Sequence, residues 1–306
     1  MQFLDLKPGA VVLDATLGGA GHSSRIVQGI APGGTLYALD RDTEALEAAG
    51  QRLASVRNVT IVLAHAQFSD LELVLKQKTG REGPLLDGAL FDAGVSSHQL
   101  DSARGFSFLR DEALDMRMNQ QSGRTAADIL AEADEQELVR IIWEFGEERF
   151  ARPIARAIAV YRQNNVLRTT GQLAALVQQT VPRKAWPRDI HVATRTFMAL
   201  RIEVNQELDQ LAQGLRAAIR MLKPGGRLVA ISFHSLEDRV VKHTLAEAAG
   251  RKKPVPAHSP ELFAEADRQA LVQVLTAKPL QPGGEEVARN SRARSAKLRA
   301  AVKLGT

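Results

Sequence analysis

The sequence predicts an α/β fold in which a mostly parallel sheet lies between helices and is interrupted by an all-helical insertion. Short, nearly all-apolar runs alternate with helical patterns from residue 11 to residue 91. The alternation stops between residues 126 and 200, where only helical patterns occur, and resumes after residue 205. Strands that are apolar along their whole length are covered on both faces, which is typical of parallel sheets with crossover helices.

The predicted elements follow this order along the chain. Strands are predicted at residues 11–16, 35–40, 59–64, 85–91, 227–233 and 271–276, and helices of the same domain at 22–29, 43–56 and 205–222. The insertion is predicted to hold helices at 129–145, 150–161, 173–181 and 193–200, while 223–226 forms a turn and 251–260 a loop. We therefore expect a Rossmann-like domain, residues 1–103 and 202–306, around an inserted helical domain, residues 104–201.

Composition limits the class of protein. The 306 residues include no cysteine, which excludes disulfide frameworks and cysteine-ligated metal sites, and we predict no metal site. No apolar run approaches the ~18–20 residues that a membrane span needs, and the first ten residues lack the pattern of a signal peptide. We expect a cytoplasmic protein without membrane contacts.

Positive charge is concentrated toward the end of the chain. Lys and Arg outnumber Asp and Glu by 40 to 35. The residues after Val287 include no acid and six basic side chains, Arg289, Arg292, Arg294, Lys297, Arg299 and Lys303. A cluster of one sign attracts phosphate backbones. The alternative interpretation is a solvated tail.

A glycine-rich turn follows the first predicted strand and predicts a cofactor site. Glycines in Leu17–Gly21, namely Gly18, Gly19 and Gly21, let a ligand approach the backbone, and the helix that follows offers unpaired N–H groups. Asp40 ends the second strand, where a carboxylate can accept both hydroxyl protons of an adenosine ribose. Both features lie at carboxyl ends of parallel strands, where open α/β sheets bind ligands.

The turn favours S-adenosylmethionine (SAM) over a dinucleotide. The dinucleotide pattern requires a third glycine, but Gly21 is followed by His22 and two serines. Asp14 at the end of the first strand suits the cationic methionine part of SAM and would repel a pyrophosphate. The alternative for Asp14 is a satisfied strand-end carboxylate, and for Asp40 a helix cap.

Polar residues after the fourth strand predict the reacting centre. Asp92, Ser96 and Ser97 follow that strand closely. An amine methyltransferase must place the nucleophile in line with the methyl–sulfur bond and accept hydrogen bonds from the amino group, and these side chains are acceptors. The alternative is a tight Asp-Ala-Gly turn with serine caps.

A second polar stretch, Ser232–Asp238, follows the fifth predicted strand at the same rim and contains His234 as a candidate catalytic residue. The alternative is a helix start in which Ser235 caps the helix and the acids Glu237 and Asp238 favour its dipole. The two interpretations are compatible.

Several longer motifs resemble one family closely, the RsmH (MraW) bacterial 16S rRNA cytosine-N4 methyltransferases. They run in order along almost the whole chain: Asp14–Ser23, Asp92–Ser97 with Gln99–Asp101, Arg104–Phe108, Leu114–Met118, Gly146–Phe150, Ala193–Phe197 with Ala199–Ile202, Ser232–Asp238, and Arg292–Arg299. Several of these motifs are peculiar to this family, so the match is more specific than a general SAM-binding pattern.

The resemblance implies a class I SAM-dependent methyltransferase with an inserted helical domain that recognises the substrate. It implies methyl transfer to the exocyclic N4 amine of a cytidine in the decoding centre, at the P site, of the small ribosomal subunit. The family's SAM contacts fall on Ala20, Gly21, His22, Asp40, Phe68, Asp92 and Gln99. A homodimer is compatible with the sequence.

The sequence departs from the family pattern at a few positions. The family usually has Gly at Ala20, Leu at Ala93, Pro at His98 and Gly-Pro at Glu112-Ala113. Ala20 costs little if its φ is negative and strains the loop if its φ is positive. The family also usually carries a His-x-Pro-Val segment upstream, which we expect to be missing here.

The insertion is rich in arginine, with Arg149, Arg152, Arg156, Arg162 and Arg168. The target base must be unstacked from its neighbours, so the RNA around it has to be held in place. We expect this stretch and the basic tail to hold the RNA by contacting its phosphates. The alternative pairs these arginines with Glu144, Glu147 and Glu148. Two other functions remain open: a dinucleotide-dependent oxidoreductase, and a non-catalytic RNA-binding or assembly protein with the same fold.

Overall fold

The computed structural model describes residues 1–96, 99, 102–251 and 269–305. The chain forms two compact units, Met1–Gly94 with Leu208–Thr306, and Val95–Glu207. These junctions differ from the predicted domain boundaries by nine residues on one side and six on the other. Ser97, His98 and residues 252–260 of the predicted loop lie outside the described residues.

The first unit contains one sheet. Its strands in the described residues are β1 (Val11–Asp14), β2 (Thr35–Asp40), β3 (Thr60–His65), β4 (Leu86–Asp92), β5 (Leu222–Ser232), β6 (Val272–Val274) and β7 (Lys297–Lys303). They lie in the order β3-β2-β1-β4-β5-β7-β6. Pairs among β1 to β5 are parallel, and β7 is antiparallel to both β5 and β6. The prediction of a mostly parallel, Rossmann-like sheet is confirmed.

The helices alternate with the strands in this unit and occur alone in the other. They are α1 (Gly21–Ile30), α2 (Thr43–Leu53), α3 (Leu71–Thr79), α4 (Ala126–Glu132), α5 (Glu135–Glu144), α6 (Ala151–Tyr161), α7 (Thr170–Thr180), α8 (Thr194–Asn205), α9 (Glu207–Met221), α10 (Ser235–Ala248) and α11 (Gly284–Arg289). None of the described helices is both long and apolar enough to span a membrane.

Both faces of the sheet are buried, because successive strand residues point to opposite sides. On β1, Leu13 belongs to a core that also contains Leu75 of α3 and Leu215 of α9. Its neighbour Val12 belongs to a second core, which contains Ile26 of α1. The apolar runs that predicted these strands therefore reflect burial on two faces, as the sequence indicated.

The basic tail is not a free tail, and both interpretations offered for it need correction at β7. Residues 297–303 form this strand between β5 and β6, with Ala300 and Ala301 buried. The guanidinium of Arg299 is almost buried and pairs with Asp238 of α10, at 2.7 and 3.1 Å. Three of the seven residues of this strand are Lys or Arg, so its charge obscured the strand in the sequence.

Two predicted boundaries also change. The single helix predicted at 129–145 is two helices, because Asp134 accepts a hydrogen bond from the backbone N–H of Glu137 and caps a new helix, α5. The predicted turn at 223–226 bulges out of β5, since Leu222 pairs with Leu86 and Arg227 pairs with Gly88.

The second unit has its own helical core. One buried side chain from each of its helices illustrates the cluster: Leu130, Ile141, Ile154, Leu173 and Phe197. Arg162 also supports this unit, since its guanidinium donates to the carbonyls of Leu130, Ala131 and Ala133 at the carboxyl end of α4. A helical insertion with an independent core agrees with the pattern in the sequence.

Gly214 of α9 permits a close approach that an alanine would block. A Cβ there would lie 2.5 Å from Cβ of Phe68 and 3.0 Å from Cε1 of Phe91. At Gly50 of α2, a Cβ would meet only Leu63 Cδ1, at an ordinary 3.6 Å. Alanine gains about 0.5–1 kcal/mol over glycine inside a helix, whereas overpacking a core costs about 1–3 kcal/mol.

We therefore predict opposite signs for Gly214→Ala and Gly50→Ala. The free energy of unfolding, measured by urea denaturation, should fall by about 1–2 kcal/mol in the first variant and rise by about 0.5–1 kcal/mol in the second. A Gly214 variant as stable as the Gly50 variant would contradict the packing of Phe68 and Phe91 against α9.

Candidate active site

The backbone of the glycine-rich turn is fixed by hydrogen bonds, while the space next to two of its glycines is open. Its backbone is fixed by hydrogen bonds from Leu17 N to Leu39 O, at 3.0 Å, and from Ala20 N to Leu17 O, at 2.7 Å. A Cβ added at Gly19 or Gly21 would meet nothing within 4 Å. A ligand can therefore approach the backbone at these two positions, beside the first turn of α1.

Ala20 adopts a positive φ of 58°, with ψ of 26°, and its methyl group is fully buried. This is the strained case of the two considered from the sequence. The left-handed conformation costs about 1–2 kcal/mol for an L-residue, which the buried methyl offsets by about 0.8 kcal/mol. Glycine, the family's usual residue here, avoids the strain but loses the methyl contact.

Asp40 joins β2 to the glycine-rich turn. Its Oδ2 accepts from Gly18 N at 2.8 Å, and its Oδ1 accepts from Asp42 N at 2.9 Å. Burial raises the pKa of Asp40 above its usual range, and these two hydrogen bonds oppose the shift. A carboxylate has about four acceptor positions, so two remain for ribose hydroxyls. The helix-cap interpretation is wrong, because the cap of α2 is Asp42, which accepts from Glu44 N.

Asp14 is fully buried and ties three elements together. Its Oδ2 accepts from the Ser23 hydroxyl of α1 at 2.6 Å, and its Oδ1 accepts from Thr16 N at 3.2 Å. The Thr16 hydroxyl in turn accepts from Asp92 N of β4 at 2.7 Å. Burial raises the pKa of Asp14 to about 6. This geometry favours the strand-end interpretation over direct contact with a cofactor, so Asp14 is a positioning residue.

Asp92 and His22 form a partly exposed polar pair at this edge. His22 Nε2 lies 3.4 Å from Asp92 Oδ2, and both side chains are about one-third exposed, at 36% and 29%. The hydrogen bond to Asp92 raises the pKa of His22, and burial opposes this shift. Asp92 Oδ1 is buried and accepts no hydrogen bond from the described residues. The Asp92 carboxylate therefore has an acceptor position that no described donor uses.

Phe68 supplies an aromatic ring after β3. It lies in a short 3-10 turn, Phe68–Asp70, and meets Phe91 of β4 edge-to-face with ring centroids 5.6 Å apart. The missing side chain of Gly214 leaves room for this arrangement. Sequence analysis did not single out Gly214, because a glycine inside a helical pattern carries no signal of what it packs against.

His234 caps α10, so the prediction that Ser235 caps this helix is wrong. Its Nδ1 accepts from Glu237 N at 3.3 Å, and its Nε2 lies 2.9 Å from Glu237 Oε1. Glu237 is 1% exposed, and its Oε2 also accepts from Phe233 N at 2.7 Å. Because both ring nitrogens face Glu237, the geometry favours a positioning role for His234 over a catalytic one.

Glu237 was interpreted from the sequence only as a charge at a helix start, and its burial was missed. The His-x-x-Glu spacing is that of a reciprocal cap, and it is the signal that points to this pair. Gly94 brings the turn after β4 close: with a φ of 111°, its added Cβ would lie 3.4 Å from the Phe233 ring and 3.8 Å from Glu237 Oε1. The chain therefore bends at Gly94, directly after β4.

Ser96 and Gln99 belong to the second unit, and their described contacts are local. Ser96 N donates to Gln99 Oε1 at 3.0 Å, and Gln99 N donates to Ser96 Oγ at 3.2 Å. Gln99 is buried. Among the residues predicted from the sequence, Gly18, Asp40, His22 and Asp92 lie at one edge of the sheet in the first unit.

The comparisons with known proteins agree with the motifs. A model of the MraW methylase family matches residues 1–304. Three relatives bear the name ribosomal RNA small subunit methyltransferase H. The protein of Trichlorobacter lovleyi is 51% identical, with 100% of this chain and 96% of that protein covered. Those of Pelobacter propionicus and Geobacter sulfurreducens are each 48% identical, with 99% of this chain and 96% of each relative covered.

We predict that Asp92→Asn lowers the pKa of His22, because it removes the first cause of the upward shift while the opposing effect of burial remains. An NMR titration of the His22 imidazole measures this. The control is Asp87→Asn at the start of β4, where Asp87 accepts from Val11 N, and it should leave the His22 titration unchanged.

The same pair predicts a pH dependence of stability. A pKa raised by folding contributes stability that is complete below the unfolded value, about 6.5, and is lost as pH rises through the folded value. Unfolding free energies of the wild type should therefore fall more between pH 6 and pH 8 than those of Asp92→Asn. Parallel pH profiles would contradict the pairing.

Proposed function

Because the chain belongs to the MraW methylase family, we propose that it is a SAM-dependent methyltransferase of small-subunit ribosomal RNA. The acceptor is the exocyclic N4 amine of a cytidine in the decoding centre, at the P site. Such a substrate places the protein in the cytoplasm. The observation that carries the proposal is the meeting of the open glycine turn, Asp40 and Asp92 at the carboxyl edge of one parallel sheet.

The residues at this edge fit the cofactor. Gly19 and Gly21 leave open the space that side chains would fill, and Asp40 retains acceptor positions for ribose hydroxyls. Bound SAM would supply an electrophilic methyl group on a positively charged sulfur. The carboxylates Asp40 and Asp92 would favour that positive charge and disfavour the pyrophosphate of a dinucleotide.

Asp92 is the proposed catalytic residue. The lone pair of a cytosine amine is delocalised into the ring, so the amine is a weak nucleophile. An acceptor such as the Asp92 carboxylate on an N–H group raises electron density at nitrogen and fixes its direction. With SAM held by the glycine turn and Asp40, this nitrogen would receive the methyl group, and the electron pair of the carbon–sulfur bond would stay on sulfur. The proton that leaves nitrogen then passes to the carboxylate or to water.

The other residues have supporting roles in this proposal. Ser96, Ser97 and Gln99 remain proposed contacts to the amine or the cofactor. His22 fixes the orientation of Asp92. His234 and Glu237 hold the chain after β5 against the Gly94 turn, so that the backbone carrying Asp92 has one conformation.

We predict that Asp40→Asn weakens SAM binding by about tenfold or more, because it replaces one of the two anionic acceptor oxygens with a donor. Isothermal titration calorimetry measures the change. Asp87→Asn is the matched control, since Asp87 also accepts a backbone N–H of a neighbouring segment but at the opposite end of the strands. Equal losses in both variants would indicate a stability effect and contradict the assignment of Asp40.

We also predict methyl transfer to small ribosomal subunits that lack the modification. Labelled SAM, nuclease digestion and mass spectrometry of the nucleosides identify N4-methylcytidine as the expected product. Asp92→Asn should lower kcat by roughly 10²-fold at saturating SAM. SAM binding without any methyl transfer would instead support the alternative of a non-catalytic RNA-binding protein.

A further inference from the structure

Positive charge is distributed unevenly between parts of this chain. Residues 149–195 contain nine Lys and Arg and only one acid, Asp189, so this segment carries a net charge of +8. The whole chain carries +5, which leaves −3 for all other residues. This segment of the helical unit is therefore one of two strongly basic stretches, the other being the residues after Val287.

Part of this charge lies along the outer face of α6. The helix buries Ala151, Ile154, Ala155 and Ile158 in the core of the second unit. Arg152 and Arg156 are exposed on its opposite face, four residues apart, and Arg149 is exposed three residues before Arg152. The three guanidinium groups therefore form a row along one side of the helix.

A second group of cations lies beside the start of this row. Arg183, Lys184 and Arg188 are exposed in the segment between α7 and α8. The Arg149 side chain reaches this segment and donates to the carbonyl of Ala185 at 3.5 Å. Arg149 also lies over the Phe150 ring and Arg183 over the Trp186 ring, 5.4 and 5.7 Å from the ring centres. Each group therefore contains one arginine that packs over an aromatic ring.

Two of the three alternative partners of these arginines are engaged elsewhere. Glu144 pairs with Arg140, and Glu148 is buried and accepts from Phe150 N. In the part of the chain that the structure describes, no ion pair involves the six cations of the two groups, Arg149, Arg152, Arg156, Arg183, Lys184 and Arg188. Arg162 and Arg195 are less exposed than these six, and each donates to backbone carbonyls of its own unit, so we assign them to the fold.

We propose that these six residues form a docking surface, the α6 basic surface, for the phosphate backbone of the RNA substrate. Guanidinium groups in a row match the repeated charge of a phosphate chain. Arginines beside aromatic rings also offer planar surfaces for unpaired bases. The proposal rests on the proposed function for the identity of the RNA and extends it by placing substrate affinity on this surface.

The test compares two triple variants of the full chain with equal loss of charge. The first is Arg149→Gln, Arg152→Gln and Arg156→Gln. The control is Arg57→Gln, Lys78→Gln and Arg81→Gln, which removes three exposed cations from the first unit. Binding to small-subunit rRNA is measured over a range of salt concentrations, together with SAM binding and methyl transfer.

We expect the α6 variant to bind RNA roughly tenfold or more weakly and to lose about 2–3 from the slope of log affinity against log salt, since each phosphate contact contributes about 0.7–0.9. Its KM for RNA should rise while kcat and the SAM Kd stay near wild type. The control should change RNA affinity less than twofold. A third variant, with Arg183→Gln, Lys184→Gln and Arg188→Gln together, should lose RNA affinity in the same way. Because these residues lie outside α6, a folding defect of α6 could not explain that loss.

Equal effects in the α6 variant and the control, or no effect in either, would overturn the proposal. The experiment can distinguish a failure of this docking surface from a failure of the proposed function. If the wild type binds RNA through this surface but transfers no methyl group, the proposed function fails and the surface stands. If methyl transfer occurs with an unchanged KM in the α6 variant, the surface fails and the function stands.

Discussion

The arrangement of the first unit depends on one buried carboxylate and the hydroxyl groups around it. Asp14 accepts from Ser23 of α1 and from Thr16, and the Thr16 hydroxyl receives the backbone N–H of Asp92. Burying a carboxylate is costly unless its acceptor positions are satisfied, so the surrounding donors must stay in place. These hydrogen bonds fix the end of β1, the start of α1 and the end of β4 relative to one another. The Asp92–His22 pair joins two of these segments, since Asp92 ends β4 and His22 lies in the first turn of α1.

Buried and exposed charged side chains have different roles in this protein. In the first unit, carboxylates meet backbone N–H groups at Asp40 and Glu237, where they fix the loops that follow β2 and β5. In the second unit, the cations of the α6 basic surface remain exposed. Buried charge of this kind holds backbone in one conformation, whereas exposed charge acts on partners in solution.

Sequence reasoning succeeded where local pattern and global fold agree. The apolar runs predicted the parallel strands, and Asp40 was correctly placed at the end of β2. It was less successful where a charge is buried. Arg299 was placed in a basic tail and lies in β7 against Asp238, and Glu237 was considered only for its effect on a helix dipole. A charge in a sequence gives no sign of the partner that folding brings to it.

The sequence by itself determined the fold class, the helical insertion, the family and the edge of the sheet where the site is predicted, because period, spacing and motif are properties of neighbouring residues. Only the tertiary structure decided that Asp14 is buried against Ser23, that His234 caps α10, that Ala20 has a positive φ, and which arginines of the insertion are exposed with no ion pair among the described residues. The physical reason is that burial and pairing depend on residues far apart in the chain, such as Asp238 and Arg299, whose contact exists only after the sheet has formed.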